Sequence, residues 1–251
     1  MKYLQIDNLE VFIADSRQEM GEMAAIAFEN EATDLLRTDE YLRIIFASAP
    51  SQVEFLQSLL THDVLPWNKI EAFHMDEYIG LNPSSPQSFA YFIEQTLLSK
   101  RNIMSKNFID GSVDVNTMIE NYTKLLTAKP LSMVGMGIGE NGHIAFNDPP
   151  VADFNDKVWM KEVELEEKCR IQQVNDGCFP SLDLVPKTAL TLTIPTLMSA
   201  KSLICVVPGK LKAEAIRNTL YGDISEKCPA SILRKHPNAK LFIDTDAAMY
   251  I

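Results

Sequence analysis

Short apolar runs recur along this chain, each too brief for a helix and each followed by a segment whose apolar positions repeat at helical spacing. That alternation leaves few folds open. The first run, Leu9–Ala14, leads to Ser16-Arg17-Gln18-Glu19, a capping box, and the helix it opens carries Met20, Met23, Ala24, Ala27 and Phe28 on one face. A second run over 41–47 is followed by Ser51-Gln52-Val53-Glu54, read as a second capping box opening a helix through Leu59 and Leu60. A third over 70–75 passes through the turn residues of 80–86 to a helix around Phe89, Phe92 and Ile93. Residues 107–109 read as a short strand. Val115, Met118, Ile119, Tyr122 and Leu125 then form a helical stripe that leads back to a strand at Leu131-Ser132-Met133-Val134. Residues 189–194 and Ser202–Val207 are further strands, Leu211, Ala215, Ile216 and Leu220 mark a helix after Gly209, and 240–244 is the last strand. Strands this apolar are covered on both faces, and strands alternating with helices form parallel sheets. The expected fold class is α/β: a doubly wound, mostly parallel sheet with helices on both faces, a Rossmann-like three-layer sandwich.

No linker, repeat or low-complexity tract divides the 251 residues, so one domain spanning 1–251 is expected. The stretch 149–186 breaks the rhythm. It is acidic over 162–167 and irregular around Asn175-Asp176-Gly177, and it reads either as a lid over a site or as a surface insertion. With 23 basic against 34 acidic residues and a net charge of −11, the chain is a poor match for nucleic acid or an anionic membrane surface. Its apolar runs fall short of the roughly 20 residues of a membrane span, and Met1-Lys2-Tyr3 leads into no signal-peptide core. The four cysteines, Cys169, Cys178, Cys205 and Cys228, lack zinc-ligand spacing. Without an export signal they are expected to be reduced thiols in the cytoplasm.

Residues that carry chemistry gather in two places. Four of the ten glycines fall between Gly135 and Gly142, directly after the Leu131 strand, and His143 follows, flanked by Glu140, Asn141, Asn147 and Asp148. Clustered glycines mark a backbone that approaches something closely or adopts positive φ. The stretch lacks the third glycine of a dinucleotide fingerprint and the G-K-[ST] of a Walker loop. Alone it is a tight turn with an exposed histidine. The second cluster, Phe73-His74-Met75-Asp76-Glu77-Tyr78, also ends an apolar run, and sites of open α/β sheets lie at the carboxyl ends of strands, where two such clusters meet. His62, His74 and His236 have no partner visible in sequence and read as structural or surface residues.

An anion has two candidate seats. Ala47-Ser48-Ala49-Pro50-Ser51 links a strand to a helix N-terminus, which suits phosphate, although Ser51 as a plain N-cap competes. Lys210 and Lys212 follow Gly209 at the start of another helix, where positive charge opposes the dipole unless an anion binds nearby.

Together these motifs resemble the glucosamine-6-phosphate deaminase (isomerase) family, in the wider group that includes 6-phosphogluconolactonases. The resemblance rests on Phe73 through Leu81, on Gly137 through Pro149, and on Val185-Pro186-Lys187 followed by Ala189-Leu190-Thr191. It implies conversion of glucosamine 6-phosphate and water to fructose 6-phosphate and ammonia, with no cofactor and no metal. Asp76 matches the family's base, which moves a proton from C2 to C1, and His143 its ring-opening residue. Where the family flanks the histidine with Asp and Glu, this chain has Asn141 and Asp148. Asp148 is then the acid that orients the imidazole, and Asn141 a hydrogen-bonding neighbour. Ser48, Ala49 and Ser51 stand for the family's phosphate turn, Lys212 matches its phosphate-binding lysine, and Glu77 and Gly142 join the substrate-binding set. The family's lid arginine has no aligned counterpart; Arg170 lies nearby, and Gln172 and Gln173 offer neutral donors. Two rival functions use the same residues: a sugar-phosphate lactone hydrolase, with His143 activating water, and a sugar-phosphate sensor without turnover. The partner implied is a small-molecule sugar phosphate, with homo-oligomer formation left open.

Overall fold

The apolar strands assemble as alternation requires. The structure, a computed structural model, describes residues 2–251; Met1, at the head of the stretch read for a signal peptide, lies outside the described residues. In chain order the elements are β1 (Lys2–Ile6), β2 (Leu9–Ala14), α1 (Arg17–Leu35), β3 (Leu42–Phe46), α2 (Val53–His62), β4 (Ile70–His74), β5 (Asp76–Tyr78) and α3 (Phe89–Thr96). There follow β6 (Ser105–Asn107), α4 (Val115–Thr127), β7 (Met133–Met136), β8 (Met160–Glu164), α5 (Glu167–Asn175) and β9 (Thr188–Leu192). The last are α6 (Ile194–Met198), β10 (Ser202–Val207), α7 (Ala213–Tyr221) and β11 (Ala239–Asp244).

Eight strands form one sheet in the order β1-β2-β11-β10-β7-β3-β4-β6. Only the β1–β2 hairpin is antiparallel; the pairs β2–β11, β11–β10, β10–β7, β7–β3, β3–β4 and β4–β6 are all parallel. Successive residues of a buried strand face opposite sides, and two apolar layers result. Ile44 and Phe46 pack with Phe28 of α1, Phe55 of α2 and Ile93 of α3. Ile45 packs on the other side with Tyr122 of α4, Leu197 of α6 and Ile216 of α7. Helices therefore cover both faces of a mostly parallel sheet.

The order reverses between β3 and β7: from β3 the chain builds outward through β4 and β6, while β7, β10 and β11 lie on the other side. Loops leaving the carboxyl ends of these two neighbours diverge and open a crevice, the usual ligand position in such sheets.

Several local expectations are corrected. At α1, Ser16 Oγ accepts the Glu19 N–H at 3.1 Å as a capping box requires, but Glu19 reaches back to the Asp15 N–H at 2.7 Å, one residue earlier. The second box does not form. Pro50–Gln52 is a 3₁₀ turn, Gln52 occupies the N-cap of α2 without a side-chain cap bond, and Glu54 pairs with Arg17 at 2.6 Å instead. The 189–194 strand does not join the parallel sheet. β5, β9 and β8 form a separate antiparallel sheet of three strands, and Ile194 already begins α6. His62 has partners after all, lying 2.9 Å from Glu29 and 2.9 Å from Glu22 and so fastening α2 to α1. No helix among the described residues is long and apolar enough to cross a membrane.

Candidate active site

The crevice at the β3–β7 reversal is a cleft lined by residues from several separate segments. They include Ser48, Ala49 and Ser51 after β3, Asp76 after β4, Gly137, Gly139 and His143 after β7, and Lys212 before α7. Arg17 from α1 and Gln172, Gln173 and Asp176 from α5 and its end also line it.

Asp76 is delivered by a handover between sheets. β4 stops at His74, and the chain turns at Met75 so that Asp76 starts β5, where it stands opposite Thr191 of β9. Asp76 is 8% exposed. Burial, with the nearby Glu77 adding to it, pushes its pKa well above the ordinary aspartate value. His74 plays a structural part: fully buried, it accepts the Ile109 N–H at 2.7 Å through Nε2, and burial lowers its pKa to about 3, so it stays neutral.

His143 is held on a tightly folded loop. Its carbonyl accepts the Gly139 N–H at 2.9 Å, and its ring lies so close over Gly139 that a Cβ there would meet imidazole atoms at 2.2–2.4 Å. Only glycine fits. Gly142 adopts φ +86°, where L side chains are strained, and its Cβ position faces Cys228 Sγ at 2.7 Å. Ala145, a cleft residue, also has positive φ, 49°. The loop is pinned to β9, because the Phe146 N–H donates to Thr191 Oγ1 at 3.0 Å and Asn147 Nδ2 to the Leu192 carbonyl at 2.9 Å. Thr191 thus neighbours Asp76 by strand pairing and His143 by this loop, which joins the two clusters.

Behind the imidazole sits Asp148, with Oδ1 2.8 Å from His143 Nδ1 in an oblique ion-pair contact. Burial raises this carboxyl, but His143, Asn141 and the Glu166 N–H outweigh it, and its pKa falls below the usual value. Asp148 therefore stays ionised beside the histidine. Asn141 Nδ2 donates to Asp148 Oδ1 at 2.9 Å and to Glu166 Oε2 at 2.6 Å, and Asn141 Oδ1 accepts the His143 N–H at 3.0 Å. Cys169 is also near: donor atoms of His143, Asp148 and Cys169 lie within 4.8 Å of one another. Burial, with Asp148 and Asp76 next in effect, holds the Cys169 thiol well above its ordinary pKa and hence protonated.

Lys212, on the same cleft wall, is 7% exposed, and its Nζ has no hydrogen-bond partner among the described residues. Burial lowers its pKa, offset in part by Asp176 and Glu140. The turn that carries it is fixed by Asp244, whose carboxylate accepts the Gly209 N–H at 3.0 and 3.1 Å. Ser48 Oγ is likewise buried and unpartnered among the described residues. A buried cation and a buried hydroxyl without partners, lining one cleft with the turn at 47–51, have the chemistry to receive an anion.

The sequence profile of the family described as glucosamine-6-phosphate isomerases/6-phosphogluconolactonase matches residues 15–243 of this chain. The chain belongs to that family. It is 31% identical over 246 residues to a glucosamine-6-phosphate deaminase of Lactobacillus delbrueckii subsp. bulgaricus, covering 96% of this chain and 98% of that one. It is 31% identical over 245 residues to one of Clostridium acetobutylicum, covering 96% and 99%. Among solved structures, a monomeric glucosamine-6-phosphate deaminase superposes with a TM-score of 0.86 at 29% identity, covering 96% of this chain and 99% of that one. A 6-phosphogluconolactonase of Thermotoga maritima superposes at 0.77 with 19% identity, covering 94% and 99%, a likeness of fold.

Within this family member, two of the residues expected to bind substrate point elsewhere. Glu77 is fully buried off the cleft and accepts the N–H groups of Tyr78, Phe89 and Ala90 at 3.0–3.2 Å, which caps α3. Burial still raises its pKa to about 7 against those bonds. Arg170 faces away from the cleft, its Nη2 donating to the Leu182 and Val185 carbonyls at 2.7 and 3.0 Å. Gly142 shapes the loop and is absent from the cleft wall, while Gln172 and Gln173 do line it. Sequence reading missed two residues. Arg17, taken only as part of a helix cap, reaches the cleft beside the 47–51 turn, held by Glu54 at 2.6 Å and the Pro50 carbonyl at 2.7 Å. Its position just past the carboxyl end of β2 was the available signal. Glu166 was counted only within an acidic run, and spacing gives no sign that it reaches Asn141.

Proposed function

We propose that this chain catalyses deamination with aldose-to-ketose isomerisation, converting glucosamine 6-phosphate and water to fructose 6-phosphate and ammonia. The observation that carries this reading is one cleft bearing Asp76 and His143 together with the unpartnered buried ammonium of Lys212. Lys212, Ser48 and the backbone of the 47–51 turn hold the phosphate, with Arg17 adding charge beside that turn. His143 shuttles a proton from the anomeric hydroxyl to the ring oxygen and opens the pyranose, and Asp148 supports the charged imidazolium in that step. Asp76 then takes the C2 proton, and the C2 ammonium passes one proton to the C1 oxygen, leaving an enolamine across C1 and C2. Return of a proton to C1 gives the C2 imine, and water hydrolyses it to the ketone with release of ammonia.

Burial of Asp76 supports its role, because a carboxylate with a raised pKa is a stronger base than an exposed one. Residues 149–186, which contribute Gln172 and Gln173 to the wall, act as the lid of the same single domain in this reading. The test is incubation with glucosamine 6-phosphate and measurement of ammonia. Wild-type protein releases it, and Asp76→Asn does not. Hydrolysis of a phosphogluconolactone that survives Asp76→Asn, or sugar-phosphate binding without turnover, would overturn the proposal.

A further inference from the structure

Asn141 spends its whole side chain on three neighbours. Its carbonyl takes the backbone N–H of His143 at 3.0 Å, and its amide is shared between two carboxylates, Asp148 at 2.9 Å and Glu166 at 2.6 Å. The second carboxylate needs an explanation. Glu166 is the N-cap residue of α5, where a side chain ordinarily turns back to the free N–H groups of its own helix, yet it makes no cap bond and extends to Asn141. Its backbone N–H meanwhile donates to Asp148 Oδ2 at 3.3 Å. Glu166 thus closes a ring of bonds with Asp148 and Asn141, from the first residue of the segment whose next turns bring Cys169 beside Asp148 and Gln172 and Gln173 to the cleft.

We propose that Glu166 is a positioning residue for His143: it fixes Asn141 in the orientation that holds the histidine's loop, and supplies a second carboxylate to the cluster behind the imidazole. The inference rests on the reading that His143 acts in turnover. Glu166 is not on the cleft wall, so its effect falls on kcat rather than KM. Two carboxylates converge on one amide, and hydrogen bonds to charged groups are the strong ones. An amide between two acids satisfies both, whereas three carboxylates there would repel, and two amides would leave one acid fewer beside His143.

A charge-swap cycle tests this. Glu166→Ala and Asn141→Asp each lower kcat roughly ten- to a hundredfold, the worth of a hydrogen bond to a charged group, with KM little changed. Asn141→Asp combined with Glu166→Gln moves the acid across the same contact and recovers most of the loss. Losses that simply add in the double variant, or an unchanged kcat in Glu166→Ala, overturn the proposal. A second measurement does not depend on turnover or on the Asn141 variant folding. Amide hydrogen exchange at the His143 N–H accelerates roughly tenfold or more in Glu166→Ala while amides of β10 and β11 keep their protection. An unchanged His143 amide overturns the positioning role whether or not the wild-type protein releases ammonia; absence of ammonia from wild type alone counts against the functional reading.

Discussion

Asp76 is held in a protonation equilibrium unlike that of an exposed aspartate, and the consequence extends to stability. Burial and Glu77 raise its folded pKa above the ordinary 3.8. The folded state therefore binds a proton that the unfolded chain has released, and stability falls as pH rises above 3.8. Asp76→Asn removes that penalty. Thermal melts across pH should show the variant more stable than wild type at neutral pH and equal to it below pH 3.8, with activity lost throughout. A variant less stable at neutral pH would show that the carboxylate has a compensating partner. Asp76, His143 and Lys212 were legible in the sequence because each sits in a motif at the end of an apolar run. Glu77 and Arg170 misled because residue type and position do not reveal direction: Glu77 turns to the start of α3 and Arg170 to the carbonyls of 182 and 185.

The loop over 137–149 acts as an element in its own right, although it contains no regular structure beyond a single bridge between Ile144 and Asn147. Its geometry is set by what is missing from Gly139. Gly139→Ala brings a methyl within 2.2–2.4 Å of the His143 ring, which must move. Misplacement of a catalytic group by about 1 Å costs on the order of a hundredfold in rate. We expect that loss in kcat with circular dichroism unchanged; an active Gly139→Ala would mean that the ring tolerates displacement. Periodicity revealed the parallel strands and their helices well, since burial on both faces gives uninterrupted apolar runs. It failed for the small antiparallel sheet: β5 begins one residue after β4, β9 reads as one more strand of the parallel sheet, and β8 lies in the acidic stretch where the rhythm breaks. It failed again at 50–52, where proline and a 3₁₀ turn displaced a cap that spacing alone suggested.

At the scale of the molecule, topology explains why residues more than sixty positions apart share a cavity. The strand order reverses between β3 and β7, so the loops after them separate and leave room that a sheet with one direction of winding would fill. The small antiparallel sheet then bridges the gap, carrying Asp76 on β5 and anchoring the His143 loop on β9. A net charge of −11 is compatible with the proposed phosphate seat because Lys212 and Arg17 both line the cleft, and charges farther than about 8–10 Å are largely screened at physiological salt. The central claim is that Asp76 breaks a carbon–hydrogen bond at C2. It is tested most directly with glucosamine 6-phosphate deuterated at C2, followed by NMR. Wild-type protein should yield fructose 6-phosphate whose deuterium has left C2 for C1 or for water, with no such product from Asp76→Asn. Ammonia released at an undiminished rate by Asp76→Asn, or an aldose product that keeps its deuterium at C2, would contradict the account.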